Sequence, residues 1–130
     1  MVLLFDLYNM PDDIYKVAFP TERQQIVAKL LIKKMKENEG IMNKTEMSLF
    51  ATHLAEGTLV DDRDEVKIRF GAKKPTLSYN KRQFYDRILT PLKSMGMIEF
   101  NLYDKNYKIS DKFNRQMIKI GLLWLREIKN

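Results

Sequence analysis

The chain has 130 residues, 45% apolar and 31% charged, with no cysteine and a single histidine, His53. That composition belongs to one globular domain with a buried core. It excludes disulfides, thiolate catalysis and sulfur-ligated metals, and a lone histidine argues against a zinc site or a histidine-based hydrolase, which need convergent ligands or an oriented base. The formal net charge of +6 is concentrated: residues 66–87 hold Lys67, Arg69, Lys73, Lys74, Lys81, Arg82 and Arg87 against the single acid Asp86, so the rest of the chain is neutral. A basic block on a neutral body is the footprint of a polyanion binder, although chance clustering on a solvated, lysine-rich surface gives the same pattern.

The opening MVLLFDLYNM is apolar but interrupted by Asp6. It has no basic leader region and is too short to cross a bilayer. It reads as core or interface, and the protein as soluble and cytoplasmic, nucleoid-associated if prokaryotic, with no membrane partner. NMPDDIYKVAF then suggests a turn and a short helical piece. Thr21 with Gln24 has the capping-box form, and Ile26, Val27, Leu30, Leu31 and Met35 follow at helical spacing, so a first helix is expected over about 22–38, stopped by Gly40.

Ile41 and Met42 suggest a small strand. Asn43 with Glu46 forms a second capping box, and Met47, Phe50, Ala51 and Leu54 make one apolar stripe of a second helix ended by Gly57. His53 lies beside that stripe. DDRDE reads as a solvated acidic loop, lacking the glycine turn and terminal glutamate of a calcium loop. The alternation in EVKIRFG predicts a half-buried strand, and GAKKPTLS a turn that lacks the spacing of a phosphate loop.

A third helix is expected from about 79 to 95, with a core arc of Phe84, Ile88, Pro91, Leu92 and Met95 and with Tyr85 and Leu89 at its edge. Pro91 predicts a kink at 90/91, with Thr90 capping a restarted turn. MIEF and YKIS around a polar turn predict a β-hairpin. The last helix, over about 111–128 and capped by Ser110, carries two apolar rows: Phe113, Met117, Ile120 and Trp124, then Ile118, Leu122 and Leu125. One row suffices to dock on a domain. The second predicts a homodimer with Ile118, Leu122 and Leu125 in its interface, the alternative being a more enveloping core that includes the N-terminal segment.

The segment FYDRILTPLKSMGMIEFNLYDKNYKIS resembles the third helix and wing of winged helix-turn-helix proteins. The carriers are Ile88, Leu92, Gly96, Met97 and Ile98, then Tyr107, Ile109 and Ser110. The resemblance covers roughly residues 21–128 and departs from the pattern in one place, where about twenty residues intervene between helices 2 and 3. It implies a mainly α fold with a small β-hairpin (α+β): a winged helix-turn-helix with a long C-terminal helix and an insertion between helices 2 and 3. The 130 residues then form one domain, with an N-terminal arm (1–20), a winged-helix core (21–110) and a dimerisation helix (111–130).

On that frame, helical projection puts Arg82, Gln83, Asp86, Thr90 and Lys93 opposite the core arc. Arg82 is placed to pair with guanine and Gln83 with adenine. Asp86 either accepts from cytosine or pairs with Arg82 four residues back. Ser78, Asn80 and the free N–H groups of the first turn suit phosphate. Lys81 belongs to the same basic surface, Arg87 flanks it, Lys105 and Asn106 belong to the wing tip, and Lys73 and Lys74 add sequence-independent affinity. Tyr79 and Tyr85 are read as core or rim, with base stacking the lesser alternative. The expected function is sequence-specific binding of double-stranded DNA by a homodimeric transcriptional regulator, without enzymatic activity, cofactor or metal. The alternative is a winged-helix interaction module, with a protein partner, or a replication-initiator-like component of a DNA-processing assembly.

Overall fold

A computed structural model describes residues 7–57 and 78–129. The strand predicted in EVKIRFG, the DDRDE loop, Lys73 and Lys74 lie outside the described residues. The described chain is mostly helical with a small three-stranded antiparallel sheet, an α+β arrangement. Among the described residues no helix is long and apolar enough to cross a membrane.

Local signals set most element boundaries. Asp13 accepts from the Tyr15 N–H and starts α1 (Ile14–Ala18). Both predicted capping boxes form. Thr21 and Gln24 cap α2 (Glu22–Glu37), and Asn43 and Glu46 cap α3 (Lys44–Glu56), with reciprocal bonds of 2.7 and 2.9 Å at Asn43. Each such cap is worth about 1 kcal/mol. Gly57 closes α3 in the left-handed conformation at φ 73°, as its place after the stripe requires.

The predicted third helix is a composite of three pieces: α4 (Lys81–Phe84), a π-helical turn (Tyr85–Leu89) and α5 (Thr90–Ser94). The kink and the Thr90 cap expected at Pro91 are replaced by this widened turn. Thr90 is helical and makes no capping bond, and its N–H reaches back five residues to the Tyr85 carbonyl. The widening falls one turn ahead of Pro91, whose ring otherwise presses on the Arg87 carbonyl and whose missing N–H leaves it unbonded.

The predicted hairpin is β2 (Ile98–Asn101) and β3 (Asn106–Ile109), and β1 (Ile41–Asn43) adds a third strand on the far side of β3. Met42 pairs with Tyr107, and Tyr107 with Phe100, so three side chains form one row across the sheet. The Phe100 and Tyr107 rings lie 4.8 Å apart. One core joins the sheet to the helices: Val27, Leu31 and Met35 of α2, Met47 and Leu54 of α3, Phe84, Ile88, Leu89 and Leu92 of the composite helix, and Met42 and Ile98 of the sheet are all fully buried. A side chain of this kind contributes roughly 1.5–3 kcal/mol when buried.

Gly57 and Ser78, which flank residues 58–77, lie side by side. The Tyr79 N–H donates to the Leu54 carbonyl at 3.0 Å, and the Ser78 hydroxyl to the Ala55 carbonyl at 3.3 Å. A Cβ on Gly57 would lie 3.7 Å from that of Ser78. Finally, α6 (Lys112–Lys129) starts with the Lys112 N–H bonded to the Ser110 hydroxyl, as predicted, and buries no side chain along its length.

Candidate nucleic-acid interface

The composite helix divides the basic, aromatic stretch 78–87 into two sides. Phe84 is fully buried, 5.5 Å from Phe50 and 5.5 Å from Tyr85, which packs edge-on against it. Tyr79 is only 6% exposed, which leaves no ring face for a base. Arg82, Gln83, Asp86 and Arg87 are exposed. Arg82 and Asp86 approach to 3.8 Å, the i, i+4 pairing weighed above. An exposed pair of this kind is weak, so it positions the guanidinium without withholding it.

The π-turn changes what lies beyond it. An extra residue in one turn rotates everything after it by about 100°. Leu89, expected at the edge, is therefore fully buried five residues after Phe84. Lys93, projected onto the same face as Arg82, instead lies over the Tyr107 ring, 5.9 Å from its centre. Thr90 stays exposed.

Three of the predicted contacts have structural duties. Asn80 caps the composite helix, its Oδ1 accepting from the Gln83 N–H at 3.0 Å. Ser78 is exposed but its hydroxyl proton goes to Ala55, and its carbonyl accepts from Arg23. Lys81 reaches across to α3, 3.3 Å from the Ser48 hydroxyl and 3.1 Å from that of Thr52, one turn apart.

The structure adds a contribution from α2 that the sequence did not suggest. Thr21, Arg23 and Gln24 meet Asn80, Gln83 and Arg87 around an open cleft of about 380 Å³, with Tyr79 against it. The Arg23 guanidinium lies 5.7 Å from the Tyr79 ring centre, a cation–π contact that orients it. The N-caps of α2 and of the composite helix both line this cleft, so two helix starts bring their positive dipole ends to one place, together with two arginines. That combination suits an oxyanion such as a backbone phosphate.

The hairpin tip also differs from expectation. Asn106 begins β3, paired with both Asn43 and Asn101, and is half-buried. Lys105 sits in the turn in the left-handed conformation, φ 53°, and its carbonyl accepts from the Lys44 N–H, which ties the turn to the start of α3. The outermost residues are Leu102 and Tyr103, the latter 97% exposed. Asn101 fixes them: its Oδ1 accepts from the N–H groups of Tyr103 and Asp104 at 2.8 and 3.1 Å. Polar turns of this composition are ordinary in sequence, so nothing marked Tyr103 beforehand.

On the opposite flank, α6 is fastened by its first turn. Lys112 Nζ lies 2.7 Å from a Glu99 carboxylate oxygen, and the Phe113 N–H donates to the Gly96 carbonyl at 3.1 Å. The hydrogen bond and charge of Lys112 hold the Glu99 carboxyl below the ordinary carboxylate range, while burial and then Tyr85 raise the Tyr107 phenol above its own. Gly96 has φ 85°, and a Cβ there would fall 2.9 Å from the Phe113 nitrogen, so both backbone and space require glycine. Beyond this turn Ile118, Leu122 and Leu125 are exposed, as are Met117, Ile120 and Trp124. Leu7, Tyr8 and Met10, the described part of the apolar N-terminal stretch, are exposed as well. Among the described residues no three His, Asp or Glu side chains converge as metal ligands do.

Compared with known proteins, the chain matches no family model, no curated protein and no solved structure.

Proposed function

We propose that the chain is a winged helix-turn-helix protein that binds double-stranded DNA sequence-specifically, as a homodimer and in transcriptional regulation. The observation that carries this reading is the cleft where the starts of α2 and the composite helix converge with Arg23, Gln83 and Arg87, beside the exposed Arg82. Phosphate in that cleft sets the protein's register on a duplex, and Arg82 and Gln83, at the start of the composite helix, offer the bidentate donors that read guanine and adenine. The order of three helices followed directly by a hairpin supports the same reading. So do the hydrogen bonds from Ser78 to Ala55 and from Tyr79 to Leu54, which join α3 to the start of the composite helix despite the inserted residues. Lys73 and Lys74 add affinity without specificity.

Selection from random duplex DNA, followed by a salt titration of the winning sequence, tests the proposal. Affinity falls steeply with salt as phosphate contacts release counterions. Arg82→Ala flattens the preference at one base position by about 1–3 kcal/mol, whereas Arg87→Ala weakens all duplexes alike and reduces the salt slope by about one. Absence of duplex binding at low salt ends this reading. A second reading, an interaction module within a replication or transcription assembly, is favoured by the apolar hairpin tip at Leu102 and Tyr103. Recovery of a stoichiometric protein partner without DNA would select it.

A further inference from the structure

Beyond the half-buried Phe113 of its first turn, the apolar face of α6 is open. Among the described residues nothing fastens the helix after its first turn, and its eighteen residues include no fully buried side chain; at 1.5 Å per residue it extends about 27 Å. At 100° per residue, Met117, Ile118, Trp124, Leu125 and Ile128 share one arc with Gly121 near its middle, and Arg115, Lys119 and Arg126 occupy the other side. With Trp124 at 66% and Ile118 at 63% exposure, on the order of 700 Å² of apolar surface is open, more than the largest patch of a typical monomer and close to one partner's share of a standard interface.

We propose that a second copy of the chain covers this face, its α6 lying antiparallel to the first and crossing it at Gly121. The proposal rests on the homodimer reading above and adds its geometry. Three observations point the same way. Gly121 interrupts a helix interior, where glycine is unfavourable relative to alanine, yet a Cβ there meets nothing within 4 Å inside the chain. Its use therefore lies outside the single chain, where the missing side chain lets two helix axes approach closely.

The apolar side chains are also balanced about it. Ile118 and Trp124 lie three residues to either side, and Met117 and Leu125 four. A patch of this kind is self-complementary under a two-fold axis through Gly121. The helix dipoles favour the same direction. Antiparallel pairing aligns them head to tail. Parallel pairing stacks like on like. Antiparallel pairing also holds the two bodies at opposite ends of the helix pair, a separation comparable to the turn of about 34 Å between half-sites on duplex DNA.

The full chain, without DNA, is the material for the test, and its lack of cysteine gives a clean background for single-cysteine variants. Sedimentation gives a dimer. Met117→Cys mixed with Leu125→Cys forms a mixed disulfide, and Met117→Cys alone does not cross-link to itself. Gly121→Leu leaves the helical circular dichroism intact and weakens the dimer by about tenfold or more, because the crossing is overpacked. Self-cross-linking of Met117→Cys indicates parallel pairing, and an unchanged or tighter Gly121→Leu dimer removes the crossing; each overturns the proposal. So does a monomer, whether it dimerises once residues 1–10 are deleted, floats with phosphatidylcholine–phosphatidylserine vesicles, or does neither. A dimer that selects no duplex fails the functional reading alone, and a monomer that selects one fails this proposal alone.

Discussion

α2 and α6 are amphipathic helices of similar length, sixteen and eighteen residues, and their apolar faces meet opposite fates. α2 closes Ile26, Val27, Leu30, Leu31 and Met35 against the sheet and the other helices, whereas α6, past the half-buried Phe113 of its first turn, leaves its apolar side chains exposed. The difference separates two uses of one sequence pattern. A single stripe that finds its partners within the chain makes a core, and a broad arc that finds none is stabilised only by what comes to cover it.

The sharpest way to break that contrast is to make the same deletion in both regions. Phe84→Ala empties the middle of the core and lowers unfolding stability by about 3–5 kcal/mol, while Ile118→Ala changes the stability of the single chain by no more than about 0.5 kcal/mol. Denaturant titrations at low protein concentration, where association does not contribute, compare the two. The next effect lies at the junction of the regions. Gly96→Ala forces a Cβ against the Phe113 nitrogen at positive φ and costs about 2 kcal/mol or more, lowering both melting temperature and α6 helicity. Gly57→Ala, with the same handedness but ordinary 3.7 Å contact, costs about 1 kcal/mol and leaves α6 untouched.

Asn43→Ala removes the capping box of α3 for about 1 kcal/mol, an effect confined to the body and measured by the same melting experiment. The smallest change belongs to the fastening of α6. Lys112 depresses the Glu99 carboxyl below its ordinary value of 4.5, so the ion pair contributes fully above that pH and is lost as pH falls through the lower, folded-state value. Hydrogen exchange at the Phe113 amide is expected to lose protection over that acid range in the native chain. In Glu99→Gln, protection is reduced already at neutral pH and does not fall further with acid from this source.

The residues show where sequence reading reaches. The capping pairs Thr21–Gln24 and Asn43–Glu46, the stop at Gly57 and the stripes of α2 and α3 were legible because their physics is contained within a few neighbours. The two rows of α6 were legible for the same reason, as an excess of apolar surface. The π-turn was not: Pro91 announced a disturbance, but its placement one turn earlier depends on burying Leu89 with Phe84, which is a tertiary demand. That shift carried Lys93 away from the face it was projected onto. Arg23 was invisible for a different reason. It sits 55 residues from Ser78 in a stretch without net charge, and only folding brings it beside Arg87.

The hydrogen bonds that join Ser78 to Ala55 and Tyr79 to Leu54 make the boundary of residues 58–77 a seam. On one side of it lies the body, whose helices meet through Leu54, Tyr79 and Phe84. On the other lie residues 58–77, a stretch whose length bears only weakly on the entropy of holding its two ends together. Lys67, Arg69, Lys73 and Lys74 all belong to that stretch. The same stretch also holds Arg63 and the acids Asp61, Asp62, Asp64 and Glu65, so it carries only +1 of the formal +6, and variation in its length or charge leaves most of the chain's net positive charge in place.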